Sequence, residues 1–310
     1  MILTRLLIIP LLLLTLASRG NHQVLGDSSV PNPTRIWIVG VSQAALWTGS
    51  FIALNQAWYA DYPKQPFHFF NDLPEWQQMD KAGHVWTAYQ ISRLSGDIWT
   101  WTGISTKKAV WLGGISGVAY QSIIEILDGF SEKWGFSVWD MASNVVGAGA
   151  YVSQQLVWKQ QKISIKFSYH GYDYPADLEP RASELFGSGG LERVLKDYNG
   201  QTYWLNVNLR SFFPESGIPR WLNVSLGYNA RLMLGGRENI WTDENGQTVD
   251  RSDIERYRRF FLSADVDLTK IRTKSKFLRS VFSAVNVIKI PAPALEVNTL
   301  GKVKFHGIYF

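Results

Sequence analysis

Three short stretches of this sequence place acidic, basic and amide side chains at spacings suited to chemistry. In chain order they read Asp80-Lys81-x-x-His84, Glu125-x-x-Asp128 and Asp140-x-x-x-Asn144. Residues three or four apart share one face of a helix, so each stretch can present its polar groups together. Three helices can therefore direct one polar cluster towards one another.

The cluster contains the ligand types of a divalent metal site. Glu125, Asp128 and His84 supply oxygen and nitrogen ligands that zinc, manganese or iron accept. Glu125 and Asp128 also fall in the last turn of a predicted helix, where the helix dipole disfavours anions. A cation should compensate them, and Lys81, His84 or a bound metal ion are the candidates. The cofactor is otherwise unknown.

A metal-free interpretation of the same residues is general acid/base catalysis, with His84, Asp140 and Asp80 as candidate catalytic residues. Each acid also has an ordinary structural explanation. Asp80 precedes a helix and can cap it, and Ser137 with Asp140 resembles a capping box. A structural polar network, a catalytic or metal site, and a binding site without chemistry all remain open.

Candidate ligand-binding residues lie in both halves of the chain. Lys81 and Asn144 belong to the cluster, while Tyr198, Tyr203 and Trp204 offer aromatic groups for a sugar or lipid headgroup. The sequence contains no Gly-rich phosphate loop, nucleophile elbow or dinucleotide fingerprint.

Composition narrows the class of protein. A chain of 310 residues predicts two domains, and 46% apolar residues predict a packed or membrane-contacting protein. The net charge of +5 is scattered, so we expect membrane surfaces or envelope components as partners and no nucleic acid. The absence of cysteine excludes disulfides, thiol catalysis and a lipid anchor on cysteine.

The N-terminus predicts export. Residues 1–20 resemble a signal peptide, with an uncleaved anchor as the alternative, and residues 21–33 form a polar linker. An uncharged run over residues 35–59 is long enough to span a membrane. Because polar residues interrupt it, we favour a core helix or a helix lying along the bilayer.

Apolar periodicity predicts an α+β protein. Residues 34–160 form a bundle of about four helices, the last three over 81–95, 106–127 and 138–158. Residues 161–310 form an antiparallel β-rich region, a sheet or partial barrel of six to eight strands, with an amphipathic helix over 273–287.

The alternation in the strands fits two arrangements. A half-buried sheet would place the apolar face in a core. A small outer-membrane barrel would place it in lipid, and the terminal Phe310 resembles the aromatic end of such barrels. We favour the sheet, because fewer than eight convincing strands are present.

The three polar stretches, with Phe136-Ser137 and Gly147 at their observed spacing, resemble the YfiM-like family of predicted periplasmic lipoproteins, a domain of unknown function (2279). The resemblance covers about residues 74–155 and is distantly VanZ-like. It implies an envelope location and a small helical bundle, and it brings no established activity. The long β-rich extension resembles Bacteroidetes-type members.

These observations predict an exported, membrane-associated envelope protein, periplasmic and next to the outer membrane, with a structural or binding role. One alternative is a metal-dependent or acid/base hydrolase acting on a lipid-linked or phosphorylated envelope substrate. Another is an outer-membrane β-barrel-like component. Whether the protein is an enzyme, and which proteins it meets, stay open.

Overall fold

The computed structural model describes residues 30–59 and 62–310, and within them the side chains of Ala57 and Trp58 are outside the description. The predicted signal peptide and most of the linker therefore lie outside the described residues. The chain divides into two compact units. A helical unit comprises the described residues up to Asn71, with His84–Gln161 and Leu268–Asn286; a sheet unit comprises Asp72–Gly83, Lys162–Asp267 and Val287–Phe310.

The helices of the described chain follow the predicted order. They are α1 Pro33–Leu54, α2 Met79–Trp101, α3 Thr106–Gly129, α4 Val138–Trp158, α5 Glu179–Phe186, α6 Gly190–Lys196, α7 Leu209–Phe212 and α8 Lys276–Val285. Four helices in the N-terminal half are confirmed. The predicted second helix ends six residues too early, because Gly96 and Asp97 are tolerated inside α2.

Local signals in the sequence set the helix starts. The Asn32 side chain accepts the amide of Arg35 at 3.0 Å, and Pro33 occupies the first turn of α1. The Ser137 hydroxyl accepts the amide of Asp140 at 3.1 Å and caps α4. The predicted Ser137 cap is therefore present.

Helix α1 is not a core helix, which corrects that half of the expectation, while a helix lying along the bilayer stays a prediction. Val39 is its only buried residue. Apolar residues surround α1, so packing one face leaves the others exposed. By length and composition, Pro33–Leu54 and Thr106–Gly129 are both able to cross a membrane.

Glycines allow close helix contact within the helical unit. A Cβ atom on Gly147 of α4 would lie 2.2 Å from the carbonyl oxygen of Val85 in α2. One on Gly117 of α3 would lie 2.5 Å from the carbonyl oxygen of Ala88. Helix α2 is therefore packed backbone to backbone against both neighbours, which holds its polar residues between them.

We expect Gly147→Val to lower the free energy of unfolding by about 3 kcal/mol, because the new side chain forces α2 and α4 apart. Gly149, on the same helix, has open space where its Cβ would lie. Gly149→Ala should raise stability by about 0.5 kcal/mol. Urea unfolding measures both, and equal effects of the two substitutions would contradict the close approach.

Six strands form one antiparallel sheet, as predicted, and two more form a hairpin. The sheet order is β1 Ile163–Tyr169, β2 Gln201–Asn208, β3 Leu222–Arg231, β6 Tyr257–Val266, β7 Ala292–Asn298 and β8 Val303–Tyr309. The hairpin is β4 Ile240–Thr242 with β5 Thr248–Asp250. Beyond β1, a short parallel bridge joins Phe167 to Ile288.

Strand register places apolar residues in rows across one face. Directly paired residues of the central row, one from each strand, are Ile165, Leu205, Leu226, Leu262, Leu295 and Phe305. A neighbouring row is Phe167, Tyr203, Tyr228, Phe260, Val297 and Val303. Because side chains alternate along a strand, the residues between these rows lie on the opposite face.

The buried face of the sheet is the polar one, which corrects the expectation of an apolar face in a core. Asn206, Ser225 and Asp265 are almost completely buried, whereas Leu226 and Leu262 are 53% and 50% exposed. A few aromatic and small apolar residues join the buried side, namely Trp204, Phe261, Ala294 and Tyr309. The sheet is therefore polar inside and largely apolar outside.

Candidate functional site

His84 is the centre of a polar site in the helical unit. It lies on the second turn of α2, and the facing residues come from α3 and α4. Nε2 of His84 lies 3.6 Å from Oε1 of Glu125 and 3.5 Å from Oδ1 of Asp140. Both carboxylates are buried. The structure therefore brings three of the candidate residues together.

Asn144 fixes the other side of the imidazole. Its Oδ1 atom lies 3.0 Å from Nδ1 of His84 and also accepts Nε2 of Gln121 at 3.4 Å. Nε2 of Gln121 lies 3.2 Å from the same Nδ1. An amide oxygen accepts and an amide nitrogen donates, so Asn144 favours the tautomer with the proton on Nδ1 and Gln121 favours the other tautomer. In the tautomer that Asn144 favours, Nε2 faces the two carboxylates either with a lone pair or with a second proton.

The geometry matches two kinds of chemistry. If Nε2 carries a lone pair, a cation between it and the carboxylates removes their repulsion. Two ligands of a tetrahedral ion with bonds of about 2.1 Å lie about 3.4 Å apart, close to the separations observed here. If Nε2 is protonated, His84 is an imidazolium beside two carboxylates, which is an acid/base arrangement.

A further group beside the imidazole has unused bonding capacity. Nδ2 of Asn144 is buried and has no hydrogen-bond partner among the described residues. A buried amide without a partner is uncommon, and an ordered water or ligand oxygen next to the site would satisfy it.

Glu125 and Asp128 lie in different surroundings, although both are near the C-terminal end of α3. The second oxygen of Glu125 accepts the amide of Ser137 at 3.2 Å. Asp128 accepts the hydroxyl of Tyr59 at 2.6 Å. Burial, followed by the charge of Asp128, raises the pKa of Tyr59, which keeps that hydroxyl a donor. The structure thus places Asp128 beside Tyr59 and Glu125 beside His84.

The start of α2 belongs to the sheet unit. Asp80 lies within the first turn of α2 and not at its cap, because the helix already begins at Met79. Its carboxylate accepts the Tyr198 hydroxyl at 2.8 Å and the Lys81 ammonium at 3.0 Å. Lys81 also pairs with Asp72 at 2.6 Å. Tyr198 and Lys81 are therefore held by acidic partners in the same unit.

The aromatic residues predicted as one ligand surface are not brought together as a surface. Trp204 and Tyr203 are neighbours on β2, so they point to opposite faces of the sheet. Trp204 is completely buried and donates to the Ser168 hydroxyl at 2.8 Å.

Sequence reasoning missed Gln121 and Tyr59 as members of this region. Gln121 lies one helical turn before Glu125, and this spacing was the available signal. Tyr59 ends a π-helical turn, Asn55–Tyr59, after α1, and no pattern in the sequence relates it to Asp128.

A second polar centre lies inside the sheet unit. The completely buried Lys166 and Asp265 pair at 2.7 Å. Lys289 is also buried, with its ammonium 4.5 Å above the Trp204 ring. Burial lowers the pKa of Lys289 to about 8, although Asp265 opposes that shift. The Asp265 carboxylate therefore stabilises the charge of both buried lysines.

Comparison with known proteins adds one finding. Residues 69–155 match a family model. Its description is predicted periplasmic lipoprotein (DUF2279), a family of unknown function. The match covers just over a quarter of the chain and includes His84, Glu125, Asp140 and Asn144. It fits an exported cell-envelope protein, and the predicted resemblance is confirmed at this level.

Neither the curated proteins nor the solved structures contain a match to this chain. The YfiM-like, VanZ-like and Bacteroidetes-type parts of the resemblance stay predictions.

Proposed function

We propose that this chain is a membrane-associated envelope protein whose apolar sheet face lies in lipid. The observation that supports this most directly is that the sheet unit buries polar side chains and exposes apolar ones. Its buried side holds amides, hydroxyls and ion pairs, while a six-residue apolar row crosses its exposed side. A contiguous apolar surface of this kind marks contact with a membrane or another protein.

The helical unit shows the same reversal, which favours lipid over a protein partner. Its interior contains Gln121, Glu125, Asp140 and Asn144. Many of its exposed large residues are apolar, among them Trp37, Val41, Trp111, Ile115, Ile126, Val138, Val145, Val146 and Val157. A protein partner covers one patch, whereas a lipid phase accounts for apolar exteriors on both units.

We infer that the sheet lies with its face in the membrane interface and does not span the bilayer. Among the described strands, β8 pairs on one side only, with β7. Its other edge would leave backbone groups without partners in hydrocarbon. The outer membrane is the membrane we propose, because the family match is described as a predicted periplasmic lipoprotein.

Vesicle flotation tests this proposal. The purified full chain should float with phospholipid vesicles and stay bound at about 0.5 M salt, because apolar contact is not screened. Leu226→Asn with Leu262→Asn should lower the vesicle partition constant about a hundredfold, since two leucine side chains of about 1.5 kcal/mol each contribute about 3 kcal/mol together.

A matched control is Leu195→Asn on α6, because Leu195 is 45% exposed and lies outside the sheet face. This variant should bind as the wild type does. Binding that is lost in salt, or that is equally weakened by both sets of substitutions, would contradict the proposal.

A second candidate function rests on the His84 site. We propose that His84, Glu125 and Asp140 hold a divalent metal ion, with Asn144 orienting the imidazole. A bound ion would polarise a carbonyl or phosphoryl oxygen, the chemistry of a hydrolase acting on a lipid-linked or phosphorylated envelope substrate. The observation that favours it is Nε2 facing two buried carboxylates. Metal analysis tests it.

A further inference from the structure

Two buried arginines lie near one end of the sheet unit. Arg231 is the last residue of β3 and pairs with Tyr257, the first residue of β6. Arg259 pairs with Asn229, so the two arginines are diagonal neighbours on the polar face. They are 4% and 7% exposed.

Within the described part of the chain, Arg259 forms an ion pair and Arg231 forms none. The Arg259 guanidinium donates to Glu296 at 2.5 Å and to the amide oxygen of Asn229 at 3.2 Å. Among the described residues, Arg231 donates only to the carbonyl of His170, at 3.4 Å, and lies over the Tyr172 ring at 5.0 Å. A buried guanidinium with so little compensation is unfavourable unless something else pairs with it.

Each arginine has one donor group without a hydrogen-bond partner among the described residues. Nη1 of Arg231 and Nε of Arg259 are buried and have no hydrogen-bond partner within the described chain. Because arginine keeps its charge inside proteins, deprotonation does not relieve this. The unused donors belong to two planar groups, so a tetrahedral oxyanion, whose oxygens point in several directions, suits them better than a planar carboxylate.

Among the described residues, no acid forms an ion pair with Arg231. Glu296 pairs with Arg259, and His306 also contacts it at 2.8 Å. The charge of Asp197 raises the pKa of Arg231, but burial and the charge of Arg259 lower it by more. Burial and then the two arginines lower the pKa of His170, so His170 adds no negative charge and little positive charge at neutral pH. Asp197 is held by Tyr174 and Asn199 and makes no ion pair with Arg231.

An exposed residue lies at the end of the sheet that is nearest to the arginines. His170 directly follows β1 and is exposed. It lies at the same end of the sheet as the end of β3 and the start of β6. Arg231 is therefore just inside this end, behind His170 and Tyr172.

We propose that Arg231 and Arg259 form a binding site for a phosphate-type oxyanion, which enters the sheet unit beside His170. The oxyanion accepts from Nη1 of Arg231 and Nε of Arg259 and supplies the missing negative charge. Its source is either free phosphate or the phosphate of a lipid headgroup.

Thermal unfolding of the full chain tests this at constant ionic strength, with inorganic phosphate, glycerol 3-phosphate or chloride as the added anion. Phosphate should raise the Tm in a concentration-dependent way and chloride should not. Arg231→Met should weaken the apparent phosphate affinity at least about tenfold, in line with the loss of a charged hydrogen bond. Arg231→Lys keeps the charge but loses the planar fork, so it should fall in between.

The exposed Arg237→Met is the matched control and should respond to phosphate as the wild type does. A higher affinity for glycerol 3-phosphate than for phosphate assigns the headgroup, and equal affinity assigns the free ion. The proposal is overturned if phosphate fails to shift the Tm of the wild type, or shifts it equally in a folded Arg231→Met or Arg231→Lys variant.

Discussion

We expect Asp265→Leu to lower the free energy of unfolding by about 3–5 kcal/mol, because it leaves a buried charge without its partner. Lys166 and Asp265 are completely enclosed and 2.7 Å apart. Asp265 also accepts the amide of Ile290 at 2.9 Å. The substitution leaves the Lys166 ammonium without its carboxylate partner. It also removes the carboxylate that favours the charged form of Lys289. Urea unfolding measures the loss.

Two comparisons identify the cause of that loss. Lys166→Met combined with Asp265→Leu removes the pair together and should recover most of the stability, because apolar groups of similar volume replace it. Asp253→Ala breaks an exposed pair with Arg251 and should cost less than about 1 kcal/mol. If Asp265→Leu were as mild as Asp253→Ala, the polar interior would not be a dry, closed core.

The His84 site predicts an equally large change in metal content. Purified wild-type protein should retain about one zinc, manganese or iron ion per chain. His84→Ala and Glu125→Gln should each reduce the content to about a tenth or less, because each removes a direct ligand. Elemental analysis after exhaustive dialysis provides the measurement.

Asp128→Asn is the control for metal content. Asp128 lies at the end of the same helix as Glu125 but bonds to Tyr59, so this variant should keep its metal. Metal-free wild type, with variants that only melt at lower temperature, would replace the metal hypothesis by an imidazolium held between two carboxylates. Metal lost equally in Asp128→Asn would contradict the ligand set.

Much of the fold was predictable because its local signals are strong. The Ser137 cap predicted the first residue of α4 correctly. Three clear period-two runs and three weaker segments predicted the six strands of the large sheet. The face that each strand buries was not predictable in the same way. Alternation fixes which residues share a face, but only the surroundings decide whether that face meets water, lipid or protein.

The candidate site was also predictable from the sequence only in part. Helical spacing identified His84, Glu125, Asp140 and Asn144, because residues one turn apart share a face. It could not separate Asp128 from Glu125, since that difference comes from Tyr59, far away in sequence. Arg231 and Arg259 were not predicted as a pair, because they are 28 residues apart in sequence and only the pairing of β3 with β6 brings them together. No sequence motif marks such a pair.

Contact between the sheet face and lipid is the central claim, and a single fluorescent label tests it most directly. The chain has no cysteine, so Leu226→Cys offers one labelling position on the apolar row, and Glu244→Cys offers an exposed control in the β4–β5 turn. Each variant is labelled with an environment-sensitive fluorophore and mixed with vesicles that contain brominated acyl chains. We predict that the label at position 226 shifts to the blue and is quenched by bromine, while the label at 244 is quenched only by aqueous iodide. Iodide quenching at position 226, without bromine quenching, would contradict the claim.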